Sequence, residues 1–232
     1  YVEQYRIINN ELGRTTNKYF RDALIKNYIY KDPVLEWYMK IKCRIDGYYD
    51  LWDRLVPRKA AITDIGCGYG QMSFMLGLLS PERHIVGIDY DEDKIETANH
   101  SFLSKKCDVT FRCADMRDVE IPMSDAILFN DSLHYVDSDS QRKILARAVE
   151  SLNVGGSIIV RDGDAGQTEK HEKIKKTEVW STKILKFNKT TDKLNFVTSE
   201  WMKEFAMTHN LEIKIRKCDN DSSETLYILT KR

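Results

Sequence analysis

The stretch Asp64-Ile65-Gly66-Cys67-Gly68-Tyr69-Gly70, set between the apolar run 60–63 and the apolar run 72–79, decides the reading of this chain. Glycines at every second position let the backbone turn tightly and approach a ligand with no Cβ in the way. A helix starting near Gln71 aims free N–H groups at whatever sits above the strand ends, so a nucleotide-like ligand is implied. The dinucleotide fingerprint G-x-G-x-x-G fits in neither register: counting from Gly66 the third position is Gln71, and from Gly68 it is Ser73.

Outward from that loop, β-branched runs alternate with amphipathic stretches, the pattern of βαβ units and an α/β class. Strands are expected at 60–65, 84–90, 109–114, 125–130 and 157–161, with helices at 71–79, 91–104 and 138–152. Asp137 or Ser138 is the expected N-cap of the last helix, and Asn153, Gly155 and Gly156 its stop. A helix at 200–209 leads to strands at 211–218 and 224–230. The polar cluster 219–222 between them predicts an antiparallel hairpin at a sheet edge.

The chain has 232 residues, 42% hydrophobic and 31% charged, which excludes disorder and a collagen-like polymer. The most apolar run falls short of the roughly 18 residues a transmembrane helix needs. With 36 basic against 36 acidic side chains there is no general basic footprint for nucleic acid. The five cysteines are scattered without C-x-x-C spacing, so a reducing, cytoplasmic setting is expected and neither a disulfide framework nor a zinc site is. The sequence opens on Tyr1 rather than methionine, which predicts a piece of a longer polypeptide. Residues 1–57 hold 8 of the 12 tyrosines and 2 of the 4 tryptophans in two or three expected helices, the last from Pro33 to about Leu55. They are expected to form a cap whose rings pack on the sheet or also close over a ligand.

An acidic residue two positions before G-x-G-x-G resembles the first motif of class I S-adenosylmethionine-dependent methyltransferases. Further motifs share the resemblance: Gly87-Ile88-Asp89-Tyr90, Cys113-Ala114-Asp115-Met116, and Asn130 with the following Asp131-Ser132-Leu133-His134-Tyr135. The resemblance covers about 60–160 and implies S-adenosylmethionine as cofactor. It also implies a Rossmann-like, seven-stranded, mostly parallel sheet with an antiparallel C-terminal hairpin, helices on both faces and an N-terminal helical cap. Asp64, Gly66, Cys67, Gly68 and Gly70 then form the cofactor loop, and Asp89 accepts from both ribose hydroxyls. Tyr90 lies against adenine, Asp115 accepts from its amine, the Met116 N–H donates to its ring, and Asn130 lies beside the methionine portion. Each also has a structural reading: Asp89 as a helix cap and Asp115 as a turn former. All three carboxyl-end positions fall together where open α/β sheets bind ligands.

The loop after strand four faces the acceptor in that family. This makes His134 the candidate base, since imidazole titrates near neutrality, with orienting the acceptor or capping a turn as the competing roles. Tyr135 supplies a ring for the sulfonium. Asp131, Asp162 and Asp164 are a less favoured magnesium set; no metal is expected. An Asn-Pro-Pro-aromatic segment, a Pro-Cys nucleophile and a paired-glutamate loop are all missing, so nucleic acid and protein arginine are set aside as acceptors. The acceptor is expected to be a small molecule or a lipid- or carrier-linked metabolite, methylated at oxygen. Between Glu169 and Lys193 eight lysines stand against four acidic residues, interleaved with apolar ones. This is a solvated helix, a lid within 165–199, or a basic surface for an anionic lipid or carrier. The stretch from Tyr28 through Arg44 resembles the lead into methyltransferase domains fused behind lipid acyltransferase domains in bacterial pathways, which implies an upstream fused domain. Two rivals remain open: a non-catalytic S-adenosylmethionine-binding module and a nicotinamide oxidoreductase.

Overall fold

The computed structural model describes residues 15–45, 49–165, 194–218 and 224–232. The expected lid 169–193 and the turn 219–222 lie outside them. The elements run α1 (Thr15–Lys26), α2 (Pro33–Ile45), α3 (Tyr49–Leu55), β1 (Ala60–Ile65), α4 (Gln71–Leu79), β2 (Arg83–Asp89), α5 (Glu92–Asn99), β3 (Val109–Cys113) and β4 (Ser124–Asn130). They continue with α6 (Ser138–Glu150), β5 (Leu152–Gly163), α7 (Ser199–Thr208), β6 (Leu211–Lys217) and β7 (Glu224–Lys231). The strands form one hydrogen-bonded sheet in the order β3-β2-β1-β4-β5-β7-β6. The pairs β2–β3, β1–β4 and β4–β5 are parallel, and β7 is antiparallel to both β5 and β6. This is the expected sheet. Its order reverses at β1 and β4, the kind of switch point at which open α/β sheets take their ligands. No helix among the described residues is long and apolar enough to cross a membrane.

The chain divides into two compact units, Tyr1–Ala61 with Cys67–Cys113, and Ile62–Gly66 with Ala114–Arg232. In the first, Pro33 opens α2 with its φ already preset, and Asp32 Oδ1 accepts from the Leu35 N–H at 2.7 Å as an N-cap does. Of the helix expected from Pro33 to about Leu55, the stretches Pro33–Ile45 and Tyr49–Leu55 are helical, and positions 46–48 lie outside the described residues. Arg83, fully buried at the start of β2, fastens α3 down. It donates to the carbonyls of Asp53, Val56, Pro57 and Leu76 and to Asp53 Oδ1. The helix expected over 91–104 stops at Asn99 and is followed by a short 3-10 turn, Phe102–Lys105.

In the second unit the central strand β4 is buried along nearly its whole length, as a parallel strand covered on both faces must be. Ile144, Leu145 and Ala148 of α6 join Phe129, Ile158 and Val160 in one apolar cluster, each large side chain contributing roughly 1.5–3 kcal/mol. Asp137 caps α6, accepting from the N–H groups of Asp139 and Ser140. The glycines expected to stop α6 belong to β5, which begins at Leu152, five residues before the expected start. Gly155, at φ +78, and a register shift opposite Ser124 and Ala126 mark a bulge that absorbs the extra length.

Candidate functional site

In the first unit the glycine loop is pinned to the end of β2. The Gly68 N–H donates to Asp89 Oδ2 at 2.8 Å, and the Asp91 N–H donates to Asp89 Oδ1 at 2.9 Å. Asp89 is therefore no side-chain cap for α5; the cap position is Asp91. Each carboxylate oxygen has taken one N–H and retains a further lone pair, so a diol's two donors can still be met. Gly68 and Gly70 both have positive φ, +56 and +76, for different reasons. A Cβ on Gly70 would lie 2.4 Å from the Phe111 ring, whereas one on Gly68 would meet nothing within 4 Å. Gly70 makes room for the protein's own core, and Gly68 keeps open space. No side chain caps the start of α4. Cys67 is half-buried in the loop, and Tyr90 is 43% exposed just past Asp89. A partly exposed ring, a carboxylate with capacity left and an open glycine fit an adenosine.

The second unit carries the remaining expected positions. Asp64 is buried near the end of β1. Gly66, at φ +77, lies so close to the loop after β4 that an added Cβ would stand 2.2 Å from Ser132 Cβ, while Ser132 Oγ donates to the Ile65 carbonyl at 2.7 Å. This glycine ties the ends of β1 and β4 together. Asn130 Oδ1 accepts from Arg161, a buried guanidinium that also holds Asp131 at 2.9 Å and Glu224 at 2.6 Å. Asp131 takes a left-handed φ of +52, and its N–H donates to the Arg161 carbonyl. Asp115 is gripped by Arg117 through both oxygens, at 2.6–3.0 Å, and that hydrogen-bonded pairing holds its carboxyl below the usual carboxylate range. The Met116 carbonyl accepts from Arg147 at 2.6 Å.

His134 is buried, and its Nδ1 lies 2.7 Å from Asp162 Oδ1. A carboxylate accepts, so Nδ1 carries the proton and Nε2 of the neutral ring carries the lone pair. The ring is flanked by Tyr135 at 4.3 Å and Phe196 at 4.9 Å between centroids. The His134 carbonyl accepts from the Asn195 N–H, which ties the loop in place. The three aspartates considered for magnesium go to different partners: Asp131 to Arg161, Asp162 to His134, and Asp164 to the Ser199 hydroxyl at 2.8 Å. Among the described residues no group of His, Cys, Asp and Glu gathers as a metal site.

Three participants were not singled out from the sequence in these roles: Asp162 as partner of His134, and Arg161 with Glu224. The signal available was position, since Arg161 and Asp162 directly follow the apolar run 158–160 at the carboxyl end of a central strand.

Residues 62–156 match the family described as a methyltransferase domain. A carboxy-S-adenosyl-L-methionine synthase of Campylobacter curvus is 22% identical over 148 residues, covering 60% of this chain and 63% of that protein. A protein of the same name from a Shewanella species is 23% identical over 117 residues, covering 49% of this chain and 48% of its own length. An O-methyltransferase family protein from Burkholderia thailandensis shares the fold with a TM-score of 0.65 at 16% identity, over 95% of this chain and 61% of that one. CalO1, a methyltransferase in calicheamicin biosynthesis solved with S-adenosylhomocysteine, gives 0.62 at 14%, over 85% and 57%. The chain thus spans less than two thirds of the length of each of these proteins. The seven-stranded sheet with its antiparallel β7 gives the chain the fold of these methyltransferase structures, and its residues 62–156 carry the match to the methyltransferase domain.

Proposed function

We propose that this chain transfers a methyl group from S-adenosylmethionine to an oxygen atom of a small-molecule or lipid- or carrier-linked acceptor. The observation that carries the reading is the buried His134–Asp162 pair at the carboxyl ends of β4 and β5. A hydroxyl acceptor gains about 10²–10⁴-fold from a positioned base, and an imidazole oriented by its own carboxylate is suited to be one. Asp89 holds the ribose diol, with Gly66, Cys67, Gly68 and Gly70 as the backbone beneath the cofactor and Asp64 supporting the end of β1. Tyr90, Asp115 and the Met116 N–H hold adenine, and Asn130 lies beside the methionine portion. Bound S-adenosylmethionine supplies an electrophilic methyl group on a sulfonium. His134 Nε2 takes the proton of the acceptor hydroxyl, and Asp162 stabilises the imidazolium so formed. Tyr135 offers its ring to positive charge, a contact worth about 0.5–2 kcal/mol.

The five cysteines stand as thiols rather than disulfides, which supports a reducing, cytoplasmic setting. The lysine-rich segment 169–193 is the part of the sequence suited to an anionic lipid or carrier.

Calorimetry with S-adenosylmethionine tests the cofactor half. Asp89→Ala is expected to weaken binding about 10- to 150-fold, because each charge-assisted hydrogen bond is worth roughly 1.5–3 kcal/mol. Incubating metabolite extracts with methyl-labelled S-adenosylmethionine tests the transfer, the label being expected on an acceptor oxygen. The relatives named carboxy-S-adenosyl-L-methionine synthase make a second outcome concrete: label retained on a carboxylated cofactor would overturn methyl transfer. Cofactor binding with no labelled product from any extract would favour a binding module. For His134→Ala the expectation is retained binding with turnover lowered about 10²–10⁴-fold; equal loss of both would mean a structural histidine.

A further inference from the structure

Residues 27–30, between α1 and α2, send three side chains to three segments of the same unit. Asn27 Oδ1 accepts from the Leu103 N–H at 2.7 Å, and the Tyr30 hydroxyl donates to the Thr97 carbonyl at 2.6 Å. The Tyr28 hydroxyl donates to the Tyr69 carbonyl at 2.6 Å, and so, unlike the other two, reaches the glycine loop.

We infer that Tyr28 is a positioning residue for the cofactor loop: its hydroxyl, held on the Tyr69 carbonyl, fixes residues 68–70 in the conformation that leaves the space above Gly68 open for S-adenosylmethionine. This rests on the cofactor reading given above. Fixing one backbone residue costs about 1–2 kcal/mol, and glycine has the most freedom to lose. A loop with glycines at 66, 68 and 70 would therefore pay heavily on ligand binding unless it were ordered beforehand, and preordering strengthens affinity by removing that cost. Two fixed points do this from opposite sides of the 68–69 peptide link. The Gly68 N–H is held by Asp89 and the Tyr69 carbonyl by Tyr28.

The side chain of Tyr69 is held as well. Its ring meets Tyr28 and Tyr38 edge-on, with centroids 6.3 and 6.4 Å apart, and the Lys94 ammonium stands 5.8 Å from its centre. Tyr28 is 0% exposed, and burial raises its pKa well above the ordinary phenol value, so it stays a donor at every working pH. The aromatic N-terminal helices thereby act on the cofactor through one hydroxyl and need not touch it.

The test compares Tyr28→Phe with Tyr30→Phe in the full chain, because each removes one hydrogen bond from the same connection to a backbone carbonyl. S-adenosylmethionine affinity is read by calorimetry and stability by urea denaturation. Tyr28→Phe is expected to weaken binding about five- to tenfold, the worth of one neutral hydrogen bond. Tyr30→Phe should leave affinity within about twofold, as an ordinary surface change does. Wild-type affinity in Tyr28→Phe, or equal weakening in both variants, overturns the inference while leaving the methyltransferase reading intact. No binding by the unsubstituted chain overturns both. If Tyr28→Phe proves too unstable to titrate, the unsubstituted chain carries the test through amide hydrogen exchange. Protection of the Gly68 and Gly70 N–H groups before the cofactor is added supports preordering, and exchange at unfolded-chain rates overturns it.

Discussion

Arg83 and Arg161 are both buried, one in each unit, and their partners differ in kind. Arg83 spends its donors on four backbone carbonyls and one carboxylate, Asp53, all of which lie in or next to helices and the start of a strand. Arg161 donates to side chains, Asn130 and Asp131 at the carboxyl end of β4 and Glu224 at the start of β7. A guanidinium satisfied by backbone fixes the path of the chain. One satisfied by movable side chains fixes the posture of a site. The same residue type is thus support in one unit and part of the working surface in the other.

The contrast is open to measurement. Arg83→Met should cost the most stability, about 3–5 kcal/mol, since it strips a buried pair of its cation and four carbonyls of their donors. Urea denaturation reads this, and cofactor affinity of the folded fraction should be unchanged. Gly66→Ala should follow, with a loss on the order of 3 kcal/mol from the clash with Ser132 and the left-handed φ together. Gly68→Ala, with open space around it, should lose only about 1–2 kcal/mol from the backbone term but weaken cofactor binding clearly. Arg161→Met should cost about 1–3 kcal/mol, because Asp131 and Glu224 keep partial access to water, at 20% and 27% exposure. Its main effect should be on turnover. Were Arg161→Met to cost as much stability as Arg83→Met with turnover intact, the distinction between the two arginines would fail.

The smallest effect concerns Asp115. Arg117 depresses its pKa in the folded chain, so the stability this pair contributes is present above the ordinary carboxylate value of about 3.9 and is lost as pH falls through the depressed one. Arg117→Ala should return the Asp115 titration, followed by carboxyl-carbon NMR, to the ordinary range. The stability difference from the unsubstituted chain should be largest near neutrality and shrink below about pH 4.

Much of this was legible in the sequence because the signals are local. The runs at 60–65 and 71–79 have the bounds of β1 and α4, since an apolar strand, a glycine loop and an apolar helix are each written in consecutive residues. Asp89 and the glycine loop could be paired by family resemblance, and the Gly68–Asp89 hydrogen bond brings them together. The Asp162 role was not legible, nor was the Arg161–Glu224 pair. Those partners are 28 and 63 positions apart and meet through strand order and loop geometry, which no periodicity encodes. The same holds for Tyr28 and Tyr69: a tyrosine count announces a cap and is silent on which carbonyl its hydroxyl reaches. At Gly155 the sequence misled, because a glycine pair after a helix reads as a stop, whereas the chain used it as a bulge inside β5.

The position of β7 has a consequence for the order of events during synthesis. β6 is translated first, yet its hydrogen-bonded neighbour is β7, which lies between it and β5. A nascent chain that has released β6 from the ribosome therefore has no berth for it until residues 224–231 emerge. Glu224 reaches Arg161 in that same late step. The Glu224 brace on the guanidinium that holds Asn130 and Asp131 therefore arrives only with β7, so a ribosome stalled before it would display a sheet already started with that brace missing.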